Sequence, residues 1–180
     1  MTLTTVLPQK IALAYQLASR SPDPSNQNGA VLLDGSNPYI VLGIGCNDFG
    51  CIQYTQEQLL DREWKLAHIE HAERAALFSG ALEEATRGSI LVCPWAACTD
   101  CARAIGRMGV KQLVVHTNRM QTTPARWQAS VEHGLAIVRA HGCEVVYYDG
   151  PIDLDESFTI KANGEDWSPV TGKVWVNPLG

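Results

Sequence analysis

No segment of this chain approaches the roughly 18 consecutive apolar residues that a membrane-spanning helix needs, so a helical membrane protein is not expected. Met1 to Gln9 lacks the charged-then-apolar design of a secretory signal, which argues against export by that route. Basic residues are outnumbered, 14 Lys and Arg against 19 Asp and Glu, and they form no stripe. General binding along a polynucleotide backbone is therefore not expected. A small anionic ligand needs only a few local donors and stays open. Internal repeats and low-complexity tracts are absent too, so neither a solenoid nor a disordered array fits.

What remains is an ordinary globular composition, 46% hydrophobic and 18% charged over 180 residues. That length suits one domain with a real core. Six cysteines, Cys46, Cys51, Cys93, Cys98, Cys101 and Cys143, would permit disulfides in an exported protein. With no signal segment, and with two of them in a C-x-x-C, a reducing cytoplasm is the expected location. Outside that pair, the other four read as small packed hydrophobes or idle thiols.

The patterning alternates helix and strand. Ile11, Ala14, Tyr15 and Ala18 make a helical stripe over Lys10 to Ser19, which the two prolines of Ser21 to Asn26 end. Ala30 to Leu33 and Tyr39 to Ile44 flank Asp34-Gly35-Ser36-Asn37-Pro38 and predict a hairpin. Asn47 to Asp61 reads as loop, and Glu63 to Gly80 as one helix. Strands are expected at Ser89 to Cys93, Val110 to His116 and Cys143 to Tyr148. Between them, helices are expected at Cys98 to Met108, stopped by Gly109, and at Pro124 to His141, stopped by Gly142. This order predicts a sheet with helices packed across it. Residues 1–150 form the expected domain. Residues 151–180, with Trp167 and Trp175, read as a tail packing on that domain or on a neighbouring subunit.

The chemistry concentrates in His71-Ala72-Glu73 and, 25 residues after Glu73, Cys98-Thr99-Asp100-Cys101. Two thiols and an imidazole are three good zinc ligands, and three protein ligands leave a fourth tetrahedral position for water. Cys98 and Cys101 are three apart and share a helix face. Zinc there would acidify the water, and Glu73, two residues past His71, would stand beside it to move protons. A structural zinc site, with Glu73 on an exposed face, is the competing reading. Such sites usually have four protein ligands, and no fourth candidate is evident. His68, three before His71, is an ordinary helix residue or a backup ligand.

The spacing H-x-E then C-x-x-C resembles the zinc deaminase signature, in which a proline precedes the first cysteine. Here Ala97 holds that place, and the nearest proline is Pro94. The chain resembles the cytidine and deoxycytidylate deaminase superfamily over about residues 10 to 150. Its nearest likeness is to the deoxycytidylate (dCMP) branch. The carriers are Arg20-Ser21-Pro22-Asp23-Pro24-Ser25-Asn26-Gln27-Asn28-Gly29-Ala30-Val31, Gly43-Ile44-Gly45-Cys46-Asn47, His71-Ala72-Glu73-Arg74-Ala75 and Cys98 to Ile105.

The resemblance implies an α/β, cytidine-deaminase-like three-layer fold with a central mixed five-stranded sheet flanked by helices. It implies one catalytic Zn2+ per subunit on His71, Cys98 and Cys101. The implied reaction is hydrolysis of dCMP to dUMP and ammonia, water attacking C4 with Glu73 as proton shuttle. Asn47 would meet the sugar, and Ser21, Ser25, Asn26 and Gln27 would help hold the phosphate. A homo-oligomer, often a hexamer, is also implied. Cys46 stands where the family has tyrosine, Asn28 where it has valine, and Asp48-Phe49-Gly50 where it has a Gly/Pro loop. Another nucleotide (a modified cytosine nucleotide included), nucleoside or free base as substrate, or a non-catalytic zinc-stabilised module, is the alternative. Arg119 and Arg126 are read as solvated, with a cationic partner for the substrate phosphate as the alternative, His116, His133 and His141 as packing or surface residues, and the five tryptophans as fillers of core and interface gaps.

Overall fold

A computed structural model describes residues 3–80 and 86–174; Trp175 and the end of the expected tail lie outside them. The helices are α1 (Leu3–Ala18), α2 (Gln56–Leu60), α3 (Arg62–His68), α4 (Ala72–Ser79), α5 (Thr99–Arg107), α6 (Thr117–Gln121) and α7 (Ala125–Ala140). The strands are β1 (Gly29–Leu33), β2 (Val41–Cys46), β3 (Ile90–Val92), β4 (Gln112–His116) and β5 (Glu144–Tyr148), with a small hairpin of β6 (Ile160–Ala162) and β7 (Glu165–Trp167).

The sheet order is β2-β1-β3-β4-β5. β1 is antiparallel to β2 and to β3, whereas β3, β4 and β5 run parallel. Its central strands are apolar on both faces, as strands covered twice must be. Ala30, Leu32, Leu91, Leu113 and Val115 face α4, α5 and α7 through Ala76, Ile105 and Val138. Val31, Leu33, Ile90, Val92 and Val114 face α1, through Ile11 and Tyr15, and the β6–β7 hairpin, through Ile160 and Trp167. The expected mixed five-stranded sheet between helical layers is the fold of this chain.

Pairing aligns three loops on one edge. Gly29 pairs with Cys46, and Val31 with Val92, so Asn28, Asn47 and Cys93 leave the sheet at the same end. Glycine in β2 sets how close α4 can come. A Cβ on Gly45 would sit 2.5 Å from the Ala76 nitrogen and 2.6 Å from the Ala75 Cβ. A side chain there would push away the helix that carries Glu73.

Three expectations need correcting, and one further helix is added. The helix expected over Glu63 to Gly80 is two, because Asp48 and Glu70 exchange backbone hydrogen bonds of 3.1 and 2.7 Å that take the 69–71 backbone out of helical geometry. α1 starts well before Lys10 and contains Pro8, since burial of Val6 and Leu7 holds its first turns. The expected loop after β2 contains α2, closed by a Thr55/Gln58 capping box. The stretch after β4 contains α6.

Candidate active site

His71 is extended (φ −86°, ψ 146°) and stands as the N-cap of α4, while Cys98 is the N-cap of α5 and Cys101 lies in its first turn. Two helix N-termini therefore meet, and their exposed N–H groups and dipoles favour thiolates. The Cys98 and Cys101 Sγ atoms lie 3.4 and 3.5 Å from His71 Nδ1. All three donor atoms fall within 4.8 Å of one another. A tetrahedral zinc with ordinary Zn–S and Zn–N bonds has S···N edges of about 3.5 Å, so the donor set fits that ion in kind and in spacing. Among the described residues this is the one group of three or more His, Cys or acidic side chains arranged to hold a metal.

The electrostatics agree with the geometry. A hydrogen bond from the Cys101 thiol, helped by His71, pulls Cys98 down to about 4, and the same sharing pushes Cys101 up. Burial would lower the His71 pKa, but its bonds to Cys98 and the charge of Glu73 raise it overall. Arg74, held by Glu70 through a 2.6 Å bond to Nε, places Nη1 3.7 Å from Cys101 Sγ. That cation, which the sequence reading did not single out, offsets part of the thiolate charge. Glu73 is 3% exposed, and burial pushes its pKa up to about 7, partly opposed by His71. A carboxyl poised there can both take and give a proton near neutral pH.

His71, Glu73 and Cys98 open on a cavity of about 480 Å³, within the range of small-molecule sites. Trp95 and Trp127 line it, their ring centroids 6.4 Å apart and nearly perpendicular, with Trp127 edge-on to His71. Two of the tryptophans are thus cavity walls, not only the gap fillers expected. Arg62, Lys65 and Arg126 also line it, as does Asp23.

The expected contact residues divide. Ser25, Asn26 and Asn47 line the cavity, whereas Ser21 and Gln27 do not. Gln27 is spent on the Ser21 carbonyl (2.8 Å) and the Lys161 amide (2.8 Å), tying the loop to β6. Asn47 has internal work as well. Its Oδ1 accepts the Ala72 N–H at 3.0 Å, capping α4, and its Nδ2 donates to the Asn26 carbonyl at 2.9 Å. His68 stacks on Trp64 at 4.2 Å and does not join the ligand group.

Sequence reading missed two supports of the loop. Lys65 on α3 is buried and reaches Asp23 Oδ1 at 2.7 Å and Ser25 Oγ at 3.1 Å. Arg119 on α6, expected to be solvated, is 0% exposed. Its guanidinium lies over the rings of Trp95 (4.7 Å) and Trp167 (5.8 Å) and donates to Asn26 Oδ1 at 3.1 Å. Neither had a local signal, because each depends on a partner far along the chain. His116 is a packing histidine as expected, buried against the Tyr15 hydroxyl at 2.7 Å.

A family model described as the cytidine and deoxycytidylate deaminase zinc-binding region matches residues 7–117. The chain belongs to this family. Among curated relatives, the deoxycytidylate deaminase of Mus musculus is 30% identical over 128 residues, 64% of this chain and 69% of that one. That of Schizosaccharomyces pombe is 26% identical over 147 residues, 77% of this chain but only 42% of the yeast protein. The chain therefore spans less than half of one such relative and about two thirds of the other. The dCMP deaminase of cyanophage S-TIM5 shares the fold, with a TM-score of 0.58 and 21% identity over 82% of this chain and all of that one. RibD of Acinetobacter baumannii shares it over 34% of its own length, at a TM-score of 0.53, with 23% identity over 78% of this chain.

Proposed function

We propose that this chain is a zinc-dependent hydrolase that removes the exocyclic amine of dCMP, giving dUMP and ammonia, with one zinc ion per subunit. The observation that carries this reading is the convergence of His71, Cys98 and Cys101 donor atoms within 4.8 Å, beside the buried Glu73. The curated deoxycytidylate deaminases support the substrate class. So does the S-TIM5 enzyme, whose structure in complex with dCMP and dUMP has the same fold.

His71, Cys98 and Cys101 would hold the zinc, which when bound supplies a Lewis acid that activates water. Glu73, ionised, takes one proton from the attacking water and passes it to ring N3, then carries the proton of the new C4 hydroxyl to the amine, which leaves as ammonia. The Trp95 and Trp127 rings give a flat base apolar walls. Asn47 presents its remaining amide proton to the sugar, and Ser25 and Asn26, with Arg62, Lys65 and Arg126, favour an anionic end of the ligand. Ser21 and Gln27 act only through the loop they brace. The division into residues 1–150 and a tail from 151, a homo-oligomer such as a hexamer, and a cytoplasmic location complete the reading. No described helix is long and apolar enough to cross a membrane.

A second reading, a different pyrimidine nucleotide, nucleoside or base, draws on Asn28, a polar residue in the cavity where the family has valine. Ultraviolet absorbance over a panel of dCMP, CMP, deoxycytidine, cytosine and 5-substituted dCMP separates the two. Fastest turnover is expected with dCMP. No deamination of any member, in protein carrying one zinc per chain, overturns the enzymatic reading in favour of a zinc-stabilised module.

A further inference from the structure

The Asn28 side chain is 4% exposed and lines the cavity, and its orientation is settled by its neighbours. Its Nδ2 donates to the Trp95 carbonyl at 2.8 Å and to Cys93 Sγ at 3.3 Å. A carbonyl oxygen can only accept, so the amide nitrogen must face Trp95. Both Nδ2 protons are then committed, and Oδ1 has to point the other way. Among the described residues Oδ1 has no partner, and it is not one of the buried unpartnered polar atoms, so it opens on the cavity. An acceptor held in that orientation on the cavity wall is available to a donor on a bound ligand.

Asn28 lies at the reacting end of the cavity. Its anchors, Cys93 and Trp95, begin the segment that leads to Cys98, and the Cys93 thiol lies close enough to Glu73 to feel its charge. The cationic group of Arg62 and Lys65 belongs to α3, a different wall. We propose that Asn28 is a specificity-determining residue whose Oδ1 accepts a hydrogen bond from the exocyclic amine of the substrate ring. This rests on the proposed deamination of a cytosine nucleotide and goes beyond it. The same oxygen faces the C4 carbonyl of the product, acceptor against acceptor, so it favours amine over oxo and helps expel the product. A valine at this place can do neither.

The test measures binding, not turnover. Zinc-loaded Glu73→Gln protein is titrated calorimetrically with dCMP, with dUMP and with the 2-pyrimidinone deoxynucleotide, which has hydrogen at ring position 4. Affinity is expected to fall in the order dCMP, pyrimidinone, dUMP, with about tenfold between the extremes, the scale of one hydrogen bond. Adding Asn28→Val is expected to bring dCMP and dUMP within about twofold of each other. Equal affinity for dCMP and dUMP in the Glu73→Gln protein overturns the proposal before any second substitution is made. An equal loss for both nucleotides in the double variant also overturns it, because the amide is then only a brace for Trp95. If Glu73→Gln binds no pyrimidine nucleotide at all, the proposed function falls and this inference falls with it.

Discussion

The two ends of the cavity are built in opposite ways. At one end, His71 and Glu73 lie two residues apart and Cys98 and Cys101 three apart, each pair set at a helix N-terminus. At the other, the loop from Asp23 to Asn26 is held by residues far away in sequence: Lys65 bonds Asp23 across 42 positions, and Arg119 bonds Asn26 across 93. Local spacing therefore makes the ligand end self-evident, because a helix turn brings i and i+3 together whatever the rest of the chain does. The polar end exists only after the sheet has brought α3 and α6 against the loop.

The largest expected difference between the ends is kinetic. Glu73→Gln is expected to keep its zinc, measured by metal analysis, and to lose about 10³-fold in kcat, the middle of the range for acid–base catalysis. Near-normal turnover would remove Glu73 from the chemistry. Cys98→Ser is expected instead to lose the metal, so the two variants separate ligand from proton carrier at the same end.

Lys65→Met tests the other end. It leaves the Asp23 carboxylate buried without its cation, at a cost of about 3 kcal/mol in urea unfolding. Adding Asp23→Asn is expected to recover most of it. If the single variant is as stable as the parent, the loop is not held by this pair.

Acid acts on the same region through His116, which precedes the helix carrying Arg119. Burial pushes its pKa down to about 4, only partly opposed by Asp149. Because the folded value lies below the usual 6.5, stability is complete above that pH and is lost as the pH falls from 6.5 toward 4. The total is up to about 3 kcal/mol. Thermal unfolding at pH 8, 6 and 4.5 should show this slope, and His116→Gln should flatten it at unchanged metal content. An identical slope in both proteins would assign the acid sensitivity to other groups. Smallest is Arg126→Ala on the cavity rim, expected to raise KM about fivefold for dCMP and to leave kcat near parent. Equal effects on dCMP and deoxycytidine would show that Arg126 does not face the phosphate.

The asymmetry also explains what could be read in advance. Both N-capped pairs, the hairpin and the alternating strands follow from periodicity and turn chemistry, and they were legible. The break at 69–71 was not, because Glu63 to Gly80 keeps helical spacing and only the Asp48–Glu70 pairing interrupts it. Arg119 between Trp95 and Trp167 was equally hidden, since an arginine after a strand carries no local mark of burial. Ser21 and Gln27 looked like their cavity-lining neighbours Ser25 and Asn26. Gln27 is drawn away by two backbone groups, the Ser21 carbonyl and the Lys161 amide of β6.

By itself the sequence determined the grouping of His71, Cys98 and Cys101, the Glu73 carboxyl beside it and the sheet with its helical layers. Each of these depends on residues close in sequence or on the burial period of a single element. Only the tertiary structure decided which loop amides face the cavity, and with which atom. Asn28 turns Oδ1 inward because a carbonyl 67 residues away, on Trp95, can take nothing but a donor.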